Sequence, residues 1–257
     1  MTIDLNQVAF SYATAHGSGP LILENIDLTV PEGEFLILLG PSGCGKSTLL
    51  RLIAGFDAAT RGRVTIDDKP IRGPGKDRGM VFQDLTSALY EWLTVRGNVE
   101  FGLRISGVKP EERRLRCDEA LQMVNLLSHA DKFPDALSGG MKQRVQIARM
   151  LAMRPSIMLM DEPFASLDAQ TRQMLQNQMV SIWNDVGGTA IYVTHDIREA
   201  LNLGQRIILM SAGPAAGIKH TYDVPMDYPR NQTDPVYIDL LERISLDIEE
   251  EVKKVWV

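Results

Sequence analysis

An α/β fold around a mostly parallel sheet is what this sequence predicts, on three observations. An apolar run, Glu34-Phe-Leu-Ile-Leu-Leu39, leads through a glycine-rich loop into the helix-like stretch 46–54. Two further apolar runs, Ile157-Met-Leu-Met160 and Thr189-Ala-Ile-Tyr-Val-Thr194, alternate with amphipathic helical patterns. Buried strands alternating with helices are how parallel sheets covered on their faces read in sequence. Between these parts, from about residue 85 to residue 153, the pattern is helical, which predicts an inserted helical subdomain.

Taken in order, residues 7–12 and 21–30 read as strands separated by a Gly/Ser/Pro loop. Pro31-Glu-Gly33 turns the chain into the 34–39 strand. Residues 62–66 and 78–83 are further strand-like runs, flanking a loop that holds Gly73-Pro-Gly75. Pro110-Glu-Glu-Arg-Arg opens a helix with proline and acids in its first turn, where the backbone dipole favours them. Asp168 opens another, whose apolar stripe includes Leu175, Met179, Ile182 and Val186 and which Gly187-Gly188 ends. The last segment, 231–257, reads as an amphipathic helical tail beyond a 1–230 domain. Thr233-Asp234 caps it, Pro235 sits in its first turn, and Tyr237, Leu241, Ile244 and Ile248 share a face. Glu249/Lys253 and Glu250/Lys254 are spaced as i,i+4 pairs.

Composition narrows the function classes. The 257 residues are 44% hydrophobic and 23% charged, ordinary for a soluble globular protein. A net charge of −6 argues against a nucleic-acid partner, which needs clustered Lys and Arg. No apolar stretch approaches the length of a membrane span, and no secretory signal is visible, so a cytoplasmic protein is expected. Two cysteines form neither a metal cluster nor a disulfide framework. Cys117 falls on an apolar helical stripe with Leu121, Val124 and Leu127 and reads as packing. Cys44 lies in the glycine-rich loop, where Lys46 and helix amides are placed to lower its pKa, though it reads first as a tolerated small residue.

That loop, Gly40-Pro41-Ser42-Gly43-Cys44-Gly45-Lys46-Ser47-Thr48, fits G-x-x-x-x-G-K-[ST]. Successive amides and the positive end of the following helix converge on anionic oxygen, and the glycines permit close approach. Lys46 can reach the β- and γ-phosphates and the Ser47 hydroxyl can ligate Mg²⁺. A strand-to-helix turn that binds nothing is the competing reading, against which strand, loop, Lys-Ser and helix stand together. The chain is therefore expected to bind a nucleoside triphosphate. Hydrolysis needs a second magnesium anchor and a group that positions water. Asp161-Glu162, directly after the 157–160 strand, offers both, because neighbouring side chains at a strand end diverge. In Leu137-Ser-Gly-Gly-Met141, Ser138 can cap a helix over 141–152, while Gly139 and Gly140 let backbone amides approach an anion. Capping alone explains that segment equally well.

These motifs resemble those of an ATP-binding-cassette (ABC) ATPase over essentially the whole chain to about residue 225. The phosphate loop, Leu137-Ser-Gly-Gly and Met160-Asp-Glu-Pro163 are similar to its Walker A, signature and Walker B motifs. Gln83 matches the Q-loop, Ser166-Leu-Asp168 the D-loop, His195 the H-loop, and Tyr12 the aromatic that stacks on adenine. The resemblance implies a P-loop NTPase core with an N-terminal antiparallel β subdomain and a helical insert. It implies ATP and Mg²⁺ as ligands, with Ser47, Gln83 and Asp161 at the metal. Glu162, His195 and Gln83 would serve hydrolysis: Glu162 facing the attacking water, Gln83 contacting metal and water, His195 holding the γ-phosphate. Tyr12 would stack on adenine, an interaction of roughly 1–3 kcal/mol. Ser138, Gly139 and Gly140 would grip the γ-phosphate of ATP bound to a second copy of the chain, and Asp168 would communicate across that interface.

Met141 departs from the family's usual Gln, removing an amide group from the clamp. Met-Lys-Gln-Arg after Leu-Ser-Gly-Gly, the chain length and the Arg/Pro-containing tail resemble importers of the nitrate/sulfonate/taurine group. Such a subunit lies on the inner face of the cell membrane and works with a separate permease and, indirectly, an external solute-binding protein. Tyr90-Glu-Trp-Leu-Thr-Val-Arg96 is a candidate permease contact, or equally subdomain core. The alternatives are the ATPase of a lipid or export system, and a soluble ABC ATPase acting on nucleic acid or ribosomes. The single cassette, the absence of a long coiled-coil or zinc insertion and the acidic balance argue against the last.

Overall fold

The computed structural model describes residues 1–14, 17–83, 89–165 and 167–255. The chain begins with β1 (Ile3–Thr14), β2 (Gly17–Val30), β3 (Phe35–Leu39), α1 (Lys46–Ala54), β4 (Arg61–Ile66), β5 (Lys69–Pro70) and β6 (Arg78–Val81). There follow α2 (Val95–Ile105), α3 (Pro110–Met123), α4 (Gly139–Met153), β7 (Ile157–Asp161) and α5 (Ala169–Val186). The last part holds β8 (Thr189–Thr194), α6 (Ile197–Leu203), β9 (Arg206–Met210), β10 (Ile218–Asp223) and α7 (Pro235–Val255). They form two compact units, 1–75 with 188–257, and 76–187.

In the first unit an antiparallel sheet runs β2-β1-β4-β5. Beside it, β3 pairs in parallel with both β8 and β9, and β10 joins the edge of β9 antiparallel. Every residue of β3 and β8 is buried, which is why both read as unbroken apolar runs. At the foot of this sheet the Arg206 guanidinium grips both carboxylate oxygens of Glu34, each at 2.7 Å, and fixes β9 to the chain entering β3. The strands β9 and β10 were not foreseen from sequence; β9 is a short apolar run and β10 alternates too weakly.

The α7 helix begins at Pro235, with the Val236 N–H donating to Asp234 at 2.8 Å. Its buried side chains are Tyr237, Leu240, Ile244 and Glu251, so the buried face is turned away from Leu241 and Ile248. The expected i,i+4 ion pairs are replaced as well. Glu250 pairs with Lys219 of β10 at 2.7 Å, and Lys254 with Glu251. Ahead of the helix, Tyr228 and Arg230 donate to the Leu203 and Leu201 carbonyls at the end of α6. Those carbonyls have no partners within their own helix, so the strap supplies them.

In the second unit β6 and β7 pair in parallel, and α2, α3 and α4 pack on one another. Thr94 caps α2, accepting the Gly97 N–H. Cys117 is fully buried, and burial pushes its thiol up to about 12, consistent with packing. Leu127 lies exposed beyond the end of α3, while Leu126 takes the buried position. Leu175, Met179 and Ile182 of α5 are buried; the Val186 side chain and the start of the helical run at 84–88 lie outside the described residues.

The turn into α2 hangs on one amide. Asn98 is 0% exposed, accepts the Tyr90 N–H at 2.8 Å, and has its side-chain nitrogen 3.0–3.1 Å from the Tyr90, Leu93 and Thr94 carbonyls. Replacing it by alanine removes the acceptor of the Tyr90 N–H and one donor from each of the three carbonyls, of which Tyr90 and Thr94 keep the Leu93 and Asn98 backbone amides. Asn98→Ala is therefore expected to lower stability by about 2–4 kcal/mol. Urea unfolding checks this; a loss below about 0.5 kcal/mol would contradict it.

Candidate functional site

In the first unit the glycine-rich loop joins β3 to α1 as its spacing foretold. Gly45 stands at the start of α1 with φ +93°, and a Cβ there would come within 2.7 Å of the Leu23 side chain, so only glycine fits without displacement. The helix that follows has no side-chain cap and no acid in its first turn. By contrast α2, α4, α5 and α6 are capped by Thr94, Ser138, Asp168 and Asp196. The α1 terminus thus keeps its dipole uncompensated by side chains, the arrangement that suits an anion. Lys46 is 6% exposed, and its ammonium donates to the Gly40 and Pro41 carbonyls, each at 2.8 Å. Ser42 and Gly43 are exposed, while Pro41, Gly45 and Ser47 are half-buried and Gly40 and Thr48 buried.

Cys44 corrects an expectation. Its sulfur lies 3.7 Å from Lys46 Nζ, and that charge favours the thiolate. Burial outweighs it, and the thiol pKa is raised.

Tyr12, on β1, is 47% exposed and meets the Phe10 ring edge-on, with centroids 4.8 Å apart. It is not a core tyrosine. His195 is exposed just after β8, and a buried network fixes its loop. Glu199 of α6 accepts the Tyr192 hydroxyl at 2.6 Å and the Thr194 hydroxyl, whose oxygen in turn accepts the Asp196 N–H at 3.0 Å. Asp196 caps α6 through the Arg198 and Glu199 amides. Sequence reasoning missed this support. Its signal was Asp196-Ile-Arg-Glu199, the spacing of a capping box, although here the glutamate reaches back into the strand rather than to the cap's own amide.

In the second unit Asp161 ends β7 at 7% exposure, and Glu162 follows half-buried with φ +45°. A glutamate in the left-handed region costs roughly 1–2 kcal/mol, a strain that native structures keep mainly where a side chain must be aimed. Gln83, exposed after β6, sets its side-chain nitrogen 3.4 Å from a Glu162 oxygen, so these two residues are brought together. Ser138 caps α4, accepting the Met141 N–H at 3.3 Å, and the helix starts at Gly139 rather than at Met141. Ser138 and Gly139 are exposed. A Cβ on Gly140 would meet Leu167 at 2.5 Å, so glycine is needed there for packing as well. Asp168 is occupied as the α5 cap, and the Thr171 N–H at 3.0 Å lowers its pKa. Ser166 lies outside the described residues.

A family model described as ABC transporter matches residues 23–165, from β2 through the phosphate loop and Ser138 to Glu162. The chain belongs to the ABC transporter family. It is an ATP-binding-cassette ATPase. Tyr12, Asp168 and His195 fall outside the matched stretch. The chain is 43% identical over 231 residues to the nitrate import ATP-binding protein NrtD of Synechococcus elongatus, covering 86% of this chain and 83% of that protein. With the taurine import ATP-binding protein TauB of Burkholderia pseudomallei it shares 40% identity over 255 residues, covering 95% and 97%. Among solved structures, the ATP-binding cassette MJ0796, a dimer in a post-hydrolysis state bound to ADP and Pi, superposes with a TM-score of 0.77 at 34% identity. That match covers 88% of this chain and all of the other.

The donors available in this cassette fit Mg²⁺. The Ser47 hydroxyl of the first unit and the Asp161 carboxylate of the second are each hard oxygen donors, and among the described residues no cluster of three His, Cys, Asp or Glu forms a complete protein cage. Magnesium is commonly held in this sparse way, by one or two protein oxygens plus nucleotide phosphates.

Because its pKa is raised and its sulfur buried, Cys44 is expected to alkylate several-fold more slowly at pH 8 than a free cysteine peptide. Mass-spectrometric timing of iodoacetamide labelling checks this; labelling faster than the peptide would restore the activated-thiol reading.

Proposed function

We propose that this ABC ATPase powers the import of a small anionic or zwitterionic solute of the nitrate and taurine kind. The observation that carries the chemistry is the uncapped α1 terminus beside Lys46. The import reading rests on near full-length identity to nitrate and taurine import ATP-binding proteins. Among the described residues no helix is long and apolar enough to cross a membrane, so the path for solute belongs to a separate permease. The chain then works on the inner face of the membrane, fed from outside by a solute-binding protein.

In this reading Tyr12 stacks on adenine. The amides of residues 40–48 surround the phosphates, and Lys46 exchanges the Gly40 and Pro41 carbonyls for β- and γ-phosphate oxygens. That exchange replaces two neutral acceptors by charged ones, which favours the nucleotide. Ser47, Asp161 and Gln83 would hold Mg²⁺, which would neutralise charge on the phosphates. Glu162 takes the proton as water attacks the γ-phosphorus, and the bond to the ADP oxygen breaks. His195, held by its buried Tyr192–Glu199–Thr194 support, donates to the γ-phosphate. Ser138, Gly139 and Gly140 take the γ-phosphate of ATP bound to a second copy, so two chains clamp two nucleotides head to tail. Asp168 couples the copies while remaining a helix cap.

Glu162→Gln keeps the shape of the side chain but cannot accept the proton. It is expected to retain ATP binding and to lose turnover by about 10²–10⁴-fold. Purified with ATP from its native membranes, the tagged variant should carry a multispan permease with it. Turnover near wild type would remove Glu162 from its role, and copurification of ribosomes or DNA factors without a permease would overturn the import reading.

A further inference from the structure

The C-terminal helix reaches towards the phosphate loop through one buried carboxylate. Glu251 of α7 is 1% exposed. Its Oε2 accepts the Ala212 N–H at 2.7 Å, its Oε1 lies 3.1 Å from Lys219 Nζ, and Lys254 binds it from the solvent side. Burial by itself would raise this carboxyl, yet Lys254, the Ala212 amide and Lys219 together draw it down to about 2. The buried carboxylate thus ties one backbone amide of a distant loop to two lysines.

That amide belongs to the 211–217 loop between β9 and β10. The loop is closed by the Ser211 N–H on the Gly217 carbonyl at 2.9 Å, and by the Gly217 N–H on the Ser211 hydroxyl at 3.0 Å. It is stitched to β2 by the Ala215 and Ala216 amides on the Leu21 and Ile22 carbonyls, both at 2.9 Å. Three segments approach the phosphate loop here, β9, β2 and the 211–217 loop. A Cβ on Gly40 would lie 3.0 Å from the Met210 carbonyl, and one on Gly213 would lie 3.6 Å from the Gly43 carbonyl. Leu23, which bridges to Ala216, is the side chain packed on Gly45. A cavity of about 310 Å³, lined by Leu21, Ile22, Ser42, Gly43, Gly213 and Pro214 among others, lies where these segments face one another.

We propose that Glu251 is a positioning residue for nucleotide binding: by holding the Ala212 amide, it fixes the 211–217 loop as a brace against the phosphate loop. Docking of the C-terminal helix thereby sets the affinity for the triphosphate. The proposal rests on the reading of the phosphate loop as the ATP site. Its physical basis is preorganisation. Amides held in place before the ligand arrives need not be ordered by it, and a slackened brace returns that cost to the binding step. Glu162 and Gln83 are untouched, so the effect falls on affinity rather than on the rate at saturation.

The test is titration of the full-length chain with a fluorescent ATP analogue, together with steady-state ATP hydrolysis. Glu251→Gln is expected to raise Kd about threefold and Glu251→Leu about tenfold, with turnover at saturation within about twofold of wild type. Tyr237→Phe removes a hydroxyl 3.3 Å from Asn202 at the other end of the helix and should leave Kd unchanged. A folded Glu251→Gln with wild-type Kd would overturn the proposal, and so would Tyr237→Phe raising Kd as much. If Glu251→Leu fails to fold, Glu251→Gln decides alone. Lys46→Ala separates the two layers: loss of binding there upholds the ATP site, whereas undiminished binding sinks that reading itself rather than the brace.

Discussion

Backbone amides that bind phosphate must be left uncommitted by the protein, yet held as firmly as if they were paired. Much of the first unit can be understood as meeting those two demands. The α1 helix begins at a glycine with no side-chain cap, while α2, α4, α5, α6 and α7 each begin with one. The firmness comes from outside the loop. The fully buried β3 enters it, Leu23 presses on Gly45, and the Met210 carbonyl packs on Gly40. Lys46 rests on two carbonyls of the loop and so stays ordered where a phosphate can claim it.

Polar groups elsewhere are used in a similar way, as buried fixings for short segments that carry exposed side chains. Glu199 ties Tyr192 and Thr194 to α6, and the residue displayed is His195. Asn98 organises the turn from Tyr90 into α2, next to the exposed Trp92. Glu251 ties the last helix to a loop beside the phosphate loop. Each is satisfied by several partners, as a buried polar group must be. Each spans a strand and a helix, or a loop and a helix, so it locks two elements with one side chain.

What could be read from the sequence was what is local. The phosphate loop, the Ser138 and Asp168 caps, and the buried β3, β7 and β8 each depend on residues within a few positions of one another, and all were legible. The features that escaped depend on distant partners. The face that α7 buries is decided by β10 and α6, so Leu240 rather than Leu241 went inside and Glu250 chose Lys219 over Lys254. The sign of the Cys44 shift depended on burial, which the neighbouring Lys46 could not reveal. Glu199 and Glu251 look like ordinary surface glutamates until the strands they meet are in place. Tyr12 went the other way. Nothing in its strand pattern distinguishes its ring, which is exposed, and only the resemblance to the family singled it out.

In the function proposed above, two copies of this chain close on two ATP molecules and part after hydrolysis. Sedimentation velocity of Glu162→Gln with ATP and Mg²⁺, against the same protein with ADP, tests it most directly. A dimer with ATP and a monomer with ADP are expected. A variant that binds ATP yet sediments as a monomer at saturating nucleotide would contradict it.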